Sequence, residues 1–326
     1  MIRYRFGRED LLRTRFAVSP LFDATASIAA IGDPASRSLH LPWVRATRAR
    51  MQDAGLRIPM LEALIPVRGY TPDFISPPPE SPLPDVAAEI QRVARTSPAQ
   101  VCRELGWRFE PGPVPEVLRP LLDAPRRGLR ALAAELAAYW EVAMAPVWER
   151  VRAVLEDDIA HRARLLTAGG PLEVFGDLHP DVRWCGDGLD VDRPYETVVE
   201  LGGRGVQLVP AVFVWPIVGA MFDPPWQPSL IYPPRGIGLL WEPPRCDHGA
   251  LADLLGARRA DILGVLERET STTGLARRLQ ASPASVSEHL GVLRRAGLIR
   301  GRRQGREVLY ARTAAGDALL HGAGAG

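Results

Sequence analysis

Ser282-Pro283-Ala284-Ser285-Val286-Ser287-Glu288-His289-Leu290 has the signature of a helix start. Ser282 is a strong N-cap because its hydroxyl accepts from an orphan amide of the first turn, and Pro283 suits the first helical position, where its missing N–H costs nothing. At about 100° per residue, Val286, Leu290 and Leu293 fall within one narrow arc, which predicts a buried face. The opposite arc carries Ala284, Glu288, Gly291 and Arg295, flanked by Ser285 and Ser287. Short or polar side chains at the leading end suit a helix that must lie in a groove about 12 Å wide, the width of the DNA major groove.

Downstream, Ala296-Gly297-Leu298 stops the helix. Ile299 to Tyr310 then reads as two strands about a two-residue Gln304-Gly305 turn, with Arg302, Arg303 and Arg306 near the tip. Upstream, Ser271, Thr272 and Thr273 begin a helix carrying Leu275, Ala276 and Leu279. Ala260–Leu266 and Ala250–Leu255 are helical before it, with Ile262, Leu263 and Leu266 facing inward.

Charge follows the same geography. The whole chain is nearly neutral at +2, and its basic side chains are all arginine, a usage that GC-rich coding produces by itself. Their clustering is more informative than their number. Residues 246–326 hold 12 arginines against 8 acids, and Arg294–Arg312 holds seven against Glu307 alone. Such a stripe suits a polyanion.

Four strings occur in order within 260–320: Val286-Ser287-x-His289-Leu290, Leu293-Arg294-x-Ala296-Gly297-Leu298, Gly305-Arg306-x-Val308-x-Tyr310 and Thr313-x-x-Gly316. Together they resemble the ArsR/SmtB winged helix-turn-helix regulators. The resemblance implies a sequence-specific double-stranded DNA-binding transcriptional regulator, most often a repressor, acting as a homodimer on an operator. Helix 283–296 would enter the major groove and wing 299–312 would lie on the backbone. The residues expected to touch DNA are Thr272, Thr273, Ser282, Ala284, Ser285, Ser287, Glu288, His289, Arg295, Arg302, Arg303 and Arg306. Glu288 either accepts from cytosine N4 or is plain surface, and His289 either packs beside the core arc or contacts the backbone. The founding metal sensors carry a Cys-x-Cys pair on the preceding helix, whereas Thr272–Gln280 has no cysteine, so metal control of that type is not expected. Only a short helix, about Thr313 to Leu320, precedes the Ala/Gly tail, so the N-terminal domain is expected to supply much of a dimer interface.

At 326 residues the chain fits about two domains. Pro243 and Pro244 mark the seam, giving 1–245 as an N-terminal regulatory and dimerisation domain and 246–326 as the winged helix. The strings Phe6-Gly7, His40-Leu41-Pro42-Trp43, Leu178-His179-Pro180 and Phe213-Val214-Trp215-Pro216 resemble an uncharacterised domain that precedes such winged helices in regulators of high-GC Gram-positive bacteria. Phe22–Ile31 reads as helix. The six prolines of Thr71–Pro84 predict an extended connector, and helix resumes at Asp85 with Val86, Ile90 and Val93 on one face. Leu129 to Ile159 continues the helical pattern, divided at Pro146. From 172 to 241 the period shortens to strands at Val182–Cys185, Thr197–Leu201, Val206–Val209, Val212–Val214, Leu230–Tyr232 and Ile237–Trp241. The expected class is α+β: a helical plus antiparallel-sheet domain followed by a winged helix-turn-helix.

Cys102, Cys185 and Cys246 are too few and too scattered for a disulfide framework, and a reducing cytoplasm is the expected setting. Met1–Phe16 lacks a signal-peptide core, and the most apolar run, Leu208–Phe222, is broken by Pro210 and Pro216, so no membrane partner is expected. No cofactor and no metal are expected either. Asp157, Asp158 and His161 read as a charged helix face, and Asp187, Asp190 and Asp192 as a hairpin between Val182–Cys185 and Leu189–Val191. Trp215, Phe222, Trp226, Tyr232 and Trp241 are ordinary core or the lining of a pocket for an unknown small-molecule or protein effector. No nucleophile elbow, phosphate loop or dinucleotide fingerprint is present, so the chain is not expected to be an enzyme. The alternative is a ligand-binding or enzymatic N-terminal domain whose winged helix serves as a protein-interaction module.

Overall fold

The computed structural model describes residues 1–67, 69–241, 248–266, 269–304 and 307–321. The chain forms two compact units, Met1–Trp241 and Glu242–Gly326. Pro243, Pro244 and Cys246 lie outside the described residues.

The first unit is α+β. Its strands are β1 (Ile2–Arg5), β2 (Arg15–Phe16), β3 (Val182–Cys185), β4 (Gly188–Val191), β5 (Thr197–Glu200), β6 (Gln207–Pro210), β7 (Gly219–Met221) and β8 (Ser229–Tyr232). They form two four-stranded sheets, ordered β3-β4-β1-β5 and β2-β6-β8-β7. Both are mixed, not antiparallel: β1 runs antiparallel to β4 but parallel to β5, and β6 runs parallel to both β2 and β8. The sheets are not purely antiparallel, because the two N-terminal strands, hidden in a charged opening stretch, insert parallel to β5 and β6, and because β8 returns parallel to β6 with β7 on its other edge. Arg3 secures that insertion through two hydrogen bonds to Asp190, at 2.7 and 2.8 Å. Two predicted strands are 3-10 turns, Val212–Val214 and Ile237–Leu239. A short apolar run has no periodicity to separate a buried strand from a buried turn.

Helices Pro20–Gly32, Leu41–Asp53, Pro125–Tyr139 and Trp148–Gly169 build the larger core. Pro146 divides the long helical stretch, with a π turn at Trp140–Met144 and a 3-10 turn at Ala145–Val147. The proline-rich segment is not a surface connector. Residues 72–79 are buried, Phe74 and Ile75 fully, and the Pro79 carbonyl accepts from Gln207 Nε2 at 2.9 Å. Proline withholds donors, so such a strap can cross a core with few amides to satisfy.

Several buried polar groups hold this unit together. The Glu89 carboxylate accepts from Ser19 Oγ and from the Leu21 amide, satisfying an otherwise orphaned amide at the buried start of helix Pro20–Gly32. Asp23 accepts from the Phe213 amide at 3.0 Å, and Arg37 donates to the carbonyls of Phe213 and Trp215. His40, Trp43, Phe213 and Trp241 pack ring against ring, with Trp43 and Phe213 centroids 4.4 Å apart. Asp158 and Arg162, both essentially unexposed, pair at 2.8 Å, and the Tyr232 hydroxyl donates to the same carboxylate.

The second unit contains helices His248–Leu255, Ala257–Val265, Thr272–Arg278, Pro283–Arg295 and Ala314–His321, with strands β9 (Thr270–Ser271), β10 (Ile299–Gln304) and β11 (Glu307–Arg312) in the order β10-β11-β9. Leu263, Leu275, Val286, Leu290, Leu293 and Ile299 are its core. Gly316 is required by packing: a Cβ there would lie 2.1 Å from the Leu298 carbonyl oxygen. Among the described residues no helix is long and apolar enough to cross a membrane.

Asp158→Ala removes the close partner of the buried Arg162 guanidinium, leaving it Asp177 at 3.8 Å, and is expected to cost about 3 kcal/mol, read from urea unfolding. Burial pushes Glu89 up to about 7, against the pull of the Leu21 and Ser19 hydrogen bonds. The folded chain therefore retains a proton that the unfolded chain releases near 4.5, so stability from this group is full below that pH and is lost as pH rises to about 7. Calorimetric melting from pH 5 to 7.5 is expected to show a shallower fall in Glu89→Gln than in the unaltered chain.

Candidate nucleic-acid interface

The roll of helix Pro283–Arg295 is set by burial. Val286, Leu290 and Leu293 are 1–2% exposed, which turns Ala284, Ser287, Glu288, Arg294 and Arg295 to the surface and leaves Ser285, His289 and Gly291 half-buried. The Ser282 hydroxyl accepts from the Ser285 amide at 3.2 Å, and Pro283 occupies the first turn. The preceding helix, Thr272–Arg278, is capped in the same way by Ser271, whose hydroxyl accepts from Gly274. Thr273 is exposed and Thr272 half-buried at its start. Between the two helices Gln280 adopts φ 50°, a left-handed conformation that disfavours side chains with a Cβ.

Gly297, at φ 73°, ends the long helix, and its carbonyl accepts from Thr313 Oγ1 at 2.7 Å. That hydroxyl also accepts from the Gly316 amide. The spacing Gly297…Thr313-x-x-Gly316 is thus one structural joint that brings the final helix against the hairpin.

β10 and β11 pair from Ile299–Arg312 to Gln304–Glu307. Gln304 is therefore a paired strand residue, not the first residue of the turn. Gly305 and Arg306 lie outside the described residues. Arg302 and Arg303 are exposed, and as strand neighbours they point to opposite faces. They also differ chemically. Arg302 NH2 donates to Glu269 Oε2 at 2.9 Å, which holds the Glu269 carboxyl below its usual range. Arg303 makes no ion pair among the described residues. Arg312, counted in the basic stripe, is structural, bonded to the Leu263 carbonyl and to Asp317. Glu269 carries no local sequence signal; only the pairing of β9 with β11 brings it to the hairpin.

The five aromatic residues of the expected effector pocket do not come together. Trp241 donates to His40 Nδ1, Trp215 packs edge-on to His40, Phe222 sits edge-on to Tyr4, Trp226 donates to Glu104, and Tyr232 binds Asp158. Trp215 and Trp241 meet at His40, the other three are tied to separate core partners, and none of the five lines the cavity of about 820 Å³ in this unit. The acidic clusters disperse likewise. Asp158 turns inward to Arg162 while Asp157 is exposed, so that trio is not one solvated face. Asp190 is held by Arg3 while Asp187 and Asp192 are exposed. Among the described residues no three His, Cys, Asp or Glu side chains group to hold a metal.

Two helices joined by a tight turn, a core-packed third helix and a three-stranded sheet define the second unit as a winged helix-turn-helix. Residues 258–302 match a family described as a helix-turn-helix domain, and residues 115–237 match a family of unknown function (DUF5937). The chain therefore carries a helix-turn-helix domain behind a domain of uncharacterised family; Phe6-Gly7 and His40–Trp43 fall outside the second match. A solved structure, reduced HlyU from Vibrio cholerae N16961, is similar at 29% identity over 21% of this chain and 76% of that one, with a TM-score of 0.19. No curated protein matches the chain.

Relieving the left-handed strain with Gln280→Gly is expected to stabilise the second unit by about 1 kcal/mol, measured as a rise in its denaturation midpoint.

Proposed function

We propose that the chain is a sequence-specific transcriptional regulator that binds double-stranded DNA, acts in the cytoplasm as a homodimeric repressor and has no enzymatic activity. Helix Pro283–Arg295 reads base edges in the major groove through Ser285, Ser287 and Glu288, with Ala284 allowing close approach. Ser282, Thr272 and Thr273 contact the backbone beside it, together with Arg295 and His289. The wing lies along the phosphates through Arg302, Arg303 and Arg306, and a homodimer presents two such helices about 34 Å apart. The N-terminal domain supplies the dimer interface and receives the effector.

The observation that carries this reading is the one-sided burial of the helix. Its apolar side is spent on the core, and its short polar side is exposed next to exposed arginines on the hairpin. Phosphate contacts release counterions, so each lost contact lowers the salt dependence of binding.

The test begins with selection of bound duplexes from a random pool, which is expected to return a palindromic motif. On that duplex, fluorescence anisotropy across a salt series is expected to give Arg303→Ala a log–log slope smaller by about 1. Arg302→Ala is expected to lose less, because Glu269 already neutralises that charge. Identical slopes in both variants and the unaltered chain would remove the wing from the interface, and failure to retain any duplex at low salt would end the proposal.

A further inference from the structure

The cavity of about 820 Å³ lies in the Met1–Trp241 unit, bounded by helix Pro20–Gly32, residues 65–67 and 69–76, residues 193–195 and strand β7. That size falls within the range of small-molecule pockets, about 300–1,000 Å³, which have mainly apolar walls and few polar groups. Phe22, Ile65, Val218, Met221 and Ile231 supply apolar wall here, and two guanidiniums, Arg37 and Arg193, reach it.

The guanidiniums are not equally engaged. Arg37 is buried against the carbonyls of Phe213 and Trp215. Arg193 NH1 donates to the Asp192 carbonyl at 2.6 Å and faces the Asp181 carboxylate at 3.5 Å. Its NH2 is buried and has no hydrogen-bond partner among the described residues. Orphaned buried donors are costly, and an acceptor oxygen placed against them recovers that cost.

The acids in the wall offer little opposition. Asp33 accepts from Ser36, and Asp73 is driven toward its neutral form by burial and by the nearby Glu104 and Asp223. Arg193 therefore brings an unpartnered N–H to a mostly apolar wall, with Asp181 engaging only its other terminal nitrogen.

We propose that this cavity binds a small carboxylate whose apolar body lies along Phe22, Val218 and Met221 and whose anionic end is seated on Arg193. Binding involves the Met1–Trp241 unit alone, whatever the second unit contacts. A carboxylate presents two acceptor oxygens to a guanidinium fork, which gives both geometry and charge to the recognition.

Calorimetric titration of the full chain with decanoate, decan-1-ol and decyltrimethylammonium tests this. Decanoate is expected to bind once per chain and at least about tenfold more tightly than either comparator. Arg193→Gln is expected to weaken decanoate by about tenfold and to leave decan-1-ol unchanged. Ala220→Trp, which brings bulk to the cavity from β7, is expected to abolish decanoate binding. Equal affinities for the three ligands, no decanoate heat at millimolar concentration, or an unchanged decanoate affinity in Arg193→Gln overturns the proposal. The three-ligand comparison on the unaltered chain decides the matter even where a variant does not fold.

Discussion

Burial of Val286, Leu290 and Leu293 is the constraint on which the second unit depends. Each side chain withdrawn from water contributes about 1.5–3 kcal/mol, so a roll of one residue, which would bury Ser287 and Arg294 in place of Val286 and Leu293, is strongly disfavoured. With the roll fixed, the direction of every polar side chain on the helix follows. The caps at Ser271 and Ser282, the left-handed Gln280 and the close approach of Gly316 to Leu298 then set where the helix begins, ends and meets the hairpin.

The first unit solves a different problem, because it joins a helical core to two mixed sheets through segments with little regular structure. The Val212–Trp215 region is the joint. Asp23 and Arg37 bind its backbone from the helical side, and His40 and Trp43 pack against Phe213. Buried polar groups earn a place in such a site only when they are hydrogen-bonded, and most of these are. The strings His40-Leu41-Pro42-Trp43 and Phe213-Val214-Trp215-Pro216, distant in the chain, are thus the two halves of one contact.

How much of this was legible in the sequence depends on the distance over which each signal acts. The second unit was legible almost helix by helix, since serine caps, a proline at the first turn, a glycine stop and a 3.6-residue period are local. The α+β class of the first unit and the division at Pro146 were legible for the same reason. Strand β1 was not: Arg3 and its partner Asp190 are 187 residues apart, and no local pattern announces a pairing of that span. Of the two readings left open for Trp215, Phe222, Trp226, Tyr232 and Trp241, core or pocket wall, the sequence could not choose, because aromatic density marks core as readily as cavity. Arg37 and Arg193, which line the cavity, come to one space only after folding. In the candidate interface, Arg302 and Arg303 read as equivalent neighbours, and only the strand's alternation and Glu269 separate them.

The pairing of Arg302 with Glu269 gives the hairpin a built-in counterion. When a polyanion docks on an arginine whose charge is balanced by dissolved salt, a small ion escapes into bulk and contributes mixing entropy. At Arg302 the displaced partner is a carboxylate that remains tethered to the same chain. That entropy is withheld there, and the carboxylate must be rehydrated or turned aside. A surface of this kind discriminates against loose, diffuse attraction, and rewards a partner whose geometry can outcompete a neighbour already in place.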